Sequence, residues 1–341
     1  MISNELKKAK WWKPIERGKL LCTLCPRYCE IGEGQPGFCY IRQNIKGELY
    51  SIGYGRPTGF AIDPIEKKPL NHFLPGTSIL SFGTAGCNLG CKFCQNWSIS
   101  KAKLDDSNSS YASPEDVVAL AKKYSTPSIA FTYNDPTIFG EYVIDISQIA
   151  REAGIKCVMV TAGYIDKEAR KEVYQFIDAA NVDLKGFTER FYVKNTFSHL
   201  NDVLDTLHWL KHETNVWIEI TTLLIPDAND SDEEIKNECE WILKNLGDDV
   251  PLHFTAFHPD FKMRDIHPTP HSTLLIAKKI ASGLGIKYCY VGNVHDIKNQ
   301  STYCSNCGTL LIERDWHSTN ITGLANDKCL KCSHILPGVF S

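Results

Sequence analysis

Ser78-Ile79-Leu80-Ser81-Phe82 leads directly into Gly86-Cys87-Asn88-Leu89-Gly90-Cys91-Lys92-Phe93-Cys94-Gln95-Asn96-Trp97. The first five residues form an apolar run of strand length, and glycines punctuate its end. The second stretch is a C-x3-C-x2-C loop with an aromatic residue just before its last cysteine. Iron–sulfur clusters are normally held by four cysteine thiolates. Three on a short loop therefore predict a four-iron cluster with one iron left open for a small molecule. A structural zinc loop is the competing reading, but zinc sites usually pair C-x2-C units across a longer gap. Gly83, Gly86 and Gly90 permit the tight backbone such a loop needs.

Working outward, short apolar runs alternate with helical patterns up to about residue 293. Ser113-Pro114-Glu115-Asp116 has a cap, a first-turn proline and acids at the positive end of a helix that continues through Val117, Val118, Leu120 and Ala121. Strands are expected over 128–131, 156–161, 182–184, 216–223, 252–257 and 286–291. Helices are expected over 167–177, 200–212, 232–246 and 272–282. This alternation predicts right-handed βαβ units and a parallel sheet. The fold class is thus α/β, matching a partial, open (β/α)6 TIM-like barrel. Parallel sheets of this kind bind ligands at the C-terminal edges of their strands. Asn134, Asp135, Asp183 and Lys185 fall there, and Thr161, Glu219 and His253 end or line strands at the same expected mouth, where a cofactor contact and a satisfied core polar residue fit each of them equally.

The cysteine loop resembles the signature of the radical S-adenosylmethionine enzymes. Thr132-Tyr133-Asn134-Asp135-Pro136-Thr137 is similar to the family's second, Gly-Gly-Glu-Pro-like motif, with Asn-Asp where most members have Gly and Glu. Asp183-Leu184-Lys185-Gly186 resembles the Asp-x-Lys motif of the activases that install glycyl radicals, pyruvate formate-lyase-activating enzyme among them. Leu224-Ile225-Pro226, Asn229-Asp230 and the segment from His253 to Pro259 resemble the branch labelled AmmeMemoRadiSam. The resemblance implies an oxidoreductase with a [4Fe-4S] cluster on Cys87, Cys91 and Cys94. It also implies S-adenosyl-L-methionine on the open iron, cleaved reductively to a 5′-deoxyadenosyl radical that abstracts hydrogen. Phe93, Asn134, Asp135, Thr161, Asp183, Lys185, Glu219 and His253 are the candidate cofactor contacts, with Asp183 and Lys185 also beside the substrate entrance. A ferredoxin- or flavodoxin-type electron donor is implied. So are a protein substrate and partners of the Memo-like and AMMECR-like kinds.

Two further cysteine groups flank the core, giving a division at 1–72, 73–296 and 297–341. Cys304, Cys307, Cys329 and Cys332 form two C-x2-C knuckles across twenty-one residues, the spacing of a structural zinc ribbon, with an auxiliary cluster as the alternative. His317 and His334 are spare nitrogen ligands expected to be unused. Cys22, Cys25, Cys29 and Cys39 lie within eighteen residues at asymmetric spacing, and zinc and an auxiliary iron–sulfur cluster fit them equally. Cys157, Cys239 and Cys289 read as core residues. Fourteen cysteines, a polar N-terminus and no membrane-length apolar run predict a cytoplasmic protein whose thiols bind metal. The net charge of −3 argues against nucleic acid as a partner. Modification of a small metabolite or an RNA base is the alternative enzymatic reading. A non-catalytic electron carrier or metal-binding protein is the alternative from another class.

Overall fold

The computed structural model describes residues 6–104, 110–316 and 318–341, so His317 lies outside the described residues. Eight strands form the central sheet: β1 (Thr58–Pro64), β2 (Ser78–Gly83), β3 (Ser128–Phe131), β4 (Lys156–Thr161), β5 (Ala179–Asp183), β6 (Trp217–Leu224), β7 (Leu252–Ala256) and β8 (Cys289–Gly292). Each lies beside its predecessor. Strands β2 to β8 run parallel, with Ala130 of β3 opposite both Ser81 and Val158. Only β1 is antiparallel, and its pairing with β2 carries an irregularity between Thr58 and Ala61.

Helices α1 (Pro114–Lys123), α2 (Gly140–Glu152), α3 (Lys167–Val173), α4 (Leu200–Glu213), α5 (Asp232–Asn245) and α6 (His271–Leu284) fill the successive connections between β2 and β8. The start of α1 is a capping box: Asp116 N donates to Ser113 Oγ at 3.1 Å, and Ser113 N donates to Asp116 Oδ2 at 2.8 Å. The sheet residues Ile79, Ile129, Ala130, Val158, Met159, Ala180, Val182 and Ile220 are fully buried, as continuous apolar runs in a helix-covered parallel sheet require. Cys157, Cys239 and Cys289 are buried in this core.

Two elements escape the pattern reading. Strand β1 sits at the sheet edge within residues expected to form only a cysteine-rich appendage. Helix α2 follows a 3-10 turn, Pro136–Phe139, and has no side-chain cap, although Val143, Ile146 and Ala150 recur at helical spacing. Its buried Glu141 takes both guanidinium arms of Arg42, at 2.9 and 3.0 Å, which anchors the N-terminal residues to the α/β core.

Those residues form two three-stranded antiparallel sheets, one from Trp12–Pro14, Leu20–Cys22 and Glu30–Ile31, the other from Lys7–Lys8, Arg42–Ile45 and Glu48–Ser51. The C-terminal residues form a third, from Thr302–Tyr303, Leu310–Asp315 and Ser318–Ile321. Among the described residues no helix is long and apolar enough to cross a membrane.

Candidate functional site

The loop carrying Cys87, Cys91 and Cys94 leaves the C-terminal end of β2. Asn134, at the corresponding end of β3, clamps its entry. The Asn134 side-chain amide donates to Gly86 O at 2.7 Å and to Thr84 Oγ1 at 3.1 Å, and its carbonyl accepts from Thr84 N at 3.3 Å. From the other side a π-helical turn, Tyr192–Thr196, receives two loop amides: Gly90 N donates to Thr196 O at 2.8 Å and Lys92 N to Asn195 O at 2.9 Å. Gly90 is required here, because a Cβ would stand 2.3 Å from the Phe197 ring. Lys101 Nζ donates to Leu89 O at 2.6 Å and closes the loop.

Burial raises the free Cys87 thiol to about 11 and the Cys91 thiol to about 12, with the Lys185 and Lys101 ammonium groups opposing the shift at Cys91. Cys94 Sγ lies 3.1 Å from Ser100 Oγ in the short helix Trp97–Ser100. Lys185 Nζ donates to Asp183 Oδ2 at 2.8 Å, just past the end of β5. Burial acts to lower the Lys185 pKa, but the Asp183 carboxylate and the Cys91 sulfur outweigh it and hold the amine above its ordinary value. The ammonium therefore stays charged beside the cysteine loop. Asn229 fixes this segment from below, donating to Lys185 O at 2.8 Å and Leu223 O at 2.9 Å.

The remaining predicted contacts divide in two. Asp135 and Thr161 are at strand C-terminal ends, but their polar atoms serve the fold. Asp135 accepts from Thr137 N at 2.9 Å, Thr161 Oγ1 at 3.1 Å and Ala162 N at 2.8 Å, joining the ends of β3 and β4. Its carboxyl pKa is raised by burial. Phe93 is buried against Phe191, ring centroids 5.9 Å apart. Glu219 and His253 are not at the mouth. They sit near the N-terminal ends of β6 and β7, the opposite edge of the sheet, and correct the expectation that placed them there. Glu219 is fully buried and accepts from Asn71 N, His72 N, Trp217 Nε1 and His253 Nε2 at 2.7–3.1 Å. Both residues are satisfied core polar groups. The expected strands 216–223 and 252–257 already put Glu219 in the first half of one and His253 second in the other, so position along the strand, which decides the edge a side chain serves, was the signal that could have corrected the expectation.

The sequence reading also missed the Tyr192–Thr196 turn, Lys101 and Ser100. The turn meets the loop across about a hundred residues of chain, which leaves no local signal.

At the sheet's N-terminal edge, Cys304 Sγ lies 3.5 Å from Cys332 Sγ, and Cys307 Sγ lies 3.7 Å from Cys329 Sγ. All four sulfurs fall within 4.8 Å of one another. One tetrahedral ion bound at about 2.3 Å separates its sulfurs by about 3.8 Å, so these four thiols match a single small cation. Of the spare imidazoles, His334 bonds Ser305 Oγ at 3.0 Å instead.

The chain matches the family model described as the radical SAM superfamily over residues 82–239. It is 43% identical over 319 residues to the uncharacterized protein MJ0808 of Methanocaldococcus jannaschii, covering 94% of this chain and 95% of that one. It is 23% identical over 202 residues to the pyruvate formate-lyase-activating enzyme of Clostridium pasteurianum, covering 53% and 80%. A radical SAM methyltransferase from Sphaerobacter thermophilus has a similar fold, with a TM-score of 0.52, 15% identity, and coverage of 70% and 71%.

Proposed function

The chain belongs to the radical SAM superfamily, and on that premise we propose that it binds a [4Fe-4S] cluster on Cys87, Cys91 and Cys94 and modifies a polypeptide. The donor set fits the cluster: three thiols on one braced loop, with the Lys185 and Lys101 ammonium groups near Cys91 to offset thiolate charge. Together the cluster and S-adenosylmethionine supply one-electron cleavage of the sulfonium and a hydrogen-abstracting carbon radical. The chain's own part is to position and to exclude water. Asn134 and the Tyr192–Thr196 turn fix the loop. Asp183 orients the Lys185 ammonium, which would meet the methionine carboxylate. The sheet is read as an open partial barrel with this loop at its mouth.

One observation carries the choice of a polypeptide. The loop is ringed by half-exposed aromatic residues: Trp97 stacks on Phe261 with ring centroids 5.8 Å apart, and Phe38 and Phe197 are 41% and 49% exposed. Arg27 joins the last two, its guanidinium lying over the Phe38 ring and donating to Phe197 O. Aromatic residues on an accessible rim are the composition of protein interfaces. The resemblance to glycyl-radical activases agrees. Memo-like and AMMECR-like proteins are then candidate substrates or partners, and a ferredoxin- or flavodoxin-type protein the electron donor, in the reducing cytoplasm. The tail thiols are assigned to zinc.

The test is anaerobic incubation of the reconstituted protein with S-adenosylmethionine and a strong reductant. The wild type releases 5′-deoxyadenosine and Cys91→Ala does not. The dialysed macromolecular fraction of a deletion-strain lysate stimulates that release. Stimulation by the small-molecule filtrate alone would instead identify a metabolite as the substrate.

A further inference from the structure

The cysteines Cys22, Cys25, Cys29 and Cys39 are arranged differently from those of the tail. Among the described residues the tail is the one place where three or more ligand atoms gather within 4.8 Å. The N-terminal thiols instead line a cavity with about 20 Å³ open to the centre of a water molecule, closed in by Leu24, Ile31, Ile138 and Arg42. That is more than the space of one water. A single zinc ion at about 2.3 Å from its sulfurs would leave no such void. The wall is almost wholly sulfur and carbon, the dry shell that sets the potential of a redox centre.

The wall of the cavity also carries a cation. Arg42 lines it with its charge already matched by Glu141, yet its buried Nε has no partner. Backbone N–H groups of Arg27, Phe38 and Ile41 meanwhile point at the sulfurs of Cys25, Cys29 and Cys39. Hydrogen bonds to sulfur are a means of tuning an iron–sulfur centre.

The cavity lies directly against the Cys87–Cys94 loop. Asn88 is part of its wall, and Arg27 Nε donates to Asn88 O at 3.0 Å. The Cys39 carbonyl oxygen lies 2.0 Å from where a Cβ on Gly86 would stand.

We propose that Cys22, Cys25, Cys29 and Cys39 hold a second iron–sulfur cluster, which relays electrons to the cluster on Cys87, Cys91 and Cys94. Four thiolates occupy all four irons, so this cluster has no open corner for a substrate. Electron transfer is the role its position leaves. One electron from a low-potential one-electron protein donor reduces it, and it returns to the oxidised state on passing that electron to its neighbour. No bond breaks in that exchange. The relay, unlike the site, rests on the radical SAM reading above.

Two measurements test this. The first removes the neighbouring site with Cys87→Ala, Cys91→Ala and Cys94→Ala together, in the full chain. After anaerobic reconstitution this variant should retain about four irons and a reducible paramagnetic signal indifferent to S-adenosylmethionine. Zinc in place of iron, with no such signal, would overturn the site. The second uses the wild type, fully reduced, freed of reductant and then given S-adenosylmethionine. A connected pair of clusters yields about two 5′-deoxyadenosines per chain, since each cleavage uses one electron. A yield that stops at one would overturn the relay. If the wild type makes none while the variant keeps its iron, the site stands. What fails is the proposed enzymatic function and the relay that rests on it.

Discussion

Asn134 stands where most superfamily members have a glycine, and the structure gives its amide a task. Its amide braces the stretch from Thr84 to Gly86, just before Cys87, through the backbone of both residues and the Thr84 hydroxyl. Asp135, the neighbouring carboxylate, bonds to the amides of Thr137 and Ala162 and to the Thr161 hydroxyl. The motif was visible in the sequence, but the direction of its side chains was not, since it depends on which strand ends lie next to β3. Gly86 is the tightest point. Its φ is +88°, and any Cβ would collide with the Cys39 carbonyl. Gly86→Ala should cost about 1–3 kcal/mol from backbone strain alone and lower iron incorporation at both adjoining cysteine groups, as read by a denaturation midpoint and metal analysis.

Among elements, α5 and β6 hold an unusual contact. Glu238 of α5 is buried and accepts from Thr222 Oγ1 of β6 at 2.5 Å. Burial pushes its carboxyl up from the ordinary 4.5 to about 8, so it folds protonated at neutral pH. A carboxyl whose folded pKa is raised binds its proton more tightly in the native state. Its contribution is complete below 4.5 and is lost as pH rises through about 8. Between pH 5 and 8 the melting temperature of the wild type should therefore drop relative to that of Glu238→Gln, which lacks this titration. Equal slopes for the two proteins would contradict the assignment. Nothing in the pattern Asp232–Asn245 marks Glu238 as neutral, because its charge state follows from the strand packed against it. The helices α1, α3 and α5, which start on a side-chain cap, and α4 and α6, which do not, were all readable from sequence. The uncapped α2 was not.

In the whole molecule, the two ends of the sheet have separate duties. The cysteine loop occupies the C-terminal edge, and the tail docks at the other. There His72 donates from Nδ1 to Pro337 O at 2.6 Å, which leaves Nε2 to accept from Tyr290 OH at 2.6 Å. Burial holds that imidazole neutral, with its pKa down to about 4. Thr302 and the buried Arg314 continue the chain to Asn71 O. Replacing Cys304 and Cys307 with serine should abolish zinc binding and lower the melting temperature by several degrees. Iron content and 5′-deoxyadenosine release should be unchanged, since among the described residues no hydrogen bond or ion pair joins the tail to the loop. Loss of iron in that variant would show the two ends to be coupled. The sequence by itself determined the α/β alternation, the three cysteine groups and the loop after β2, because strand length, helix caps and thiol spacing are local properties of the chain. Tertiary structure decided what spacing could not: that Glu219 and His253 face away from the mouth, that four sulfurs converge in the tail, and that four others ring a cavity. Those outcomes depend on which distant segments meet, and the core packing that brings them together is set by the whole chain.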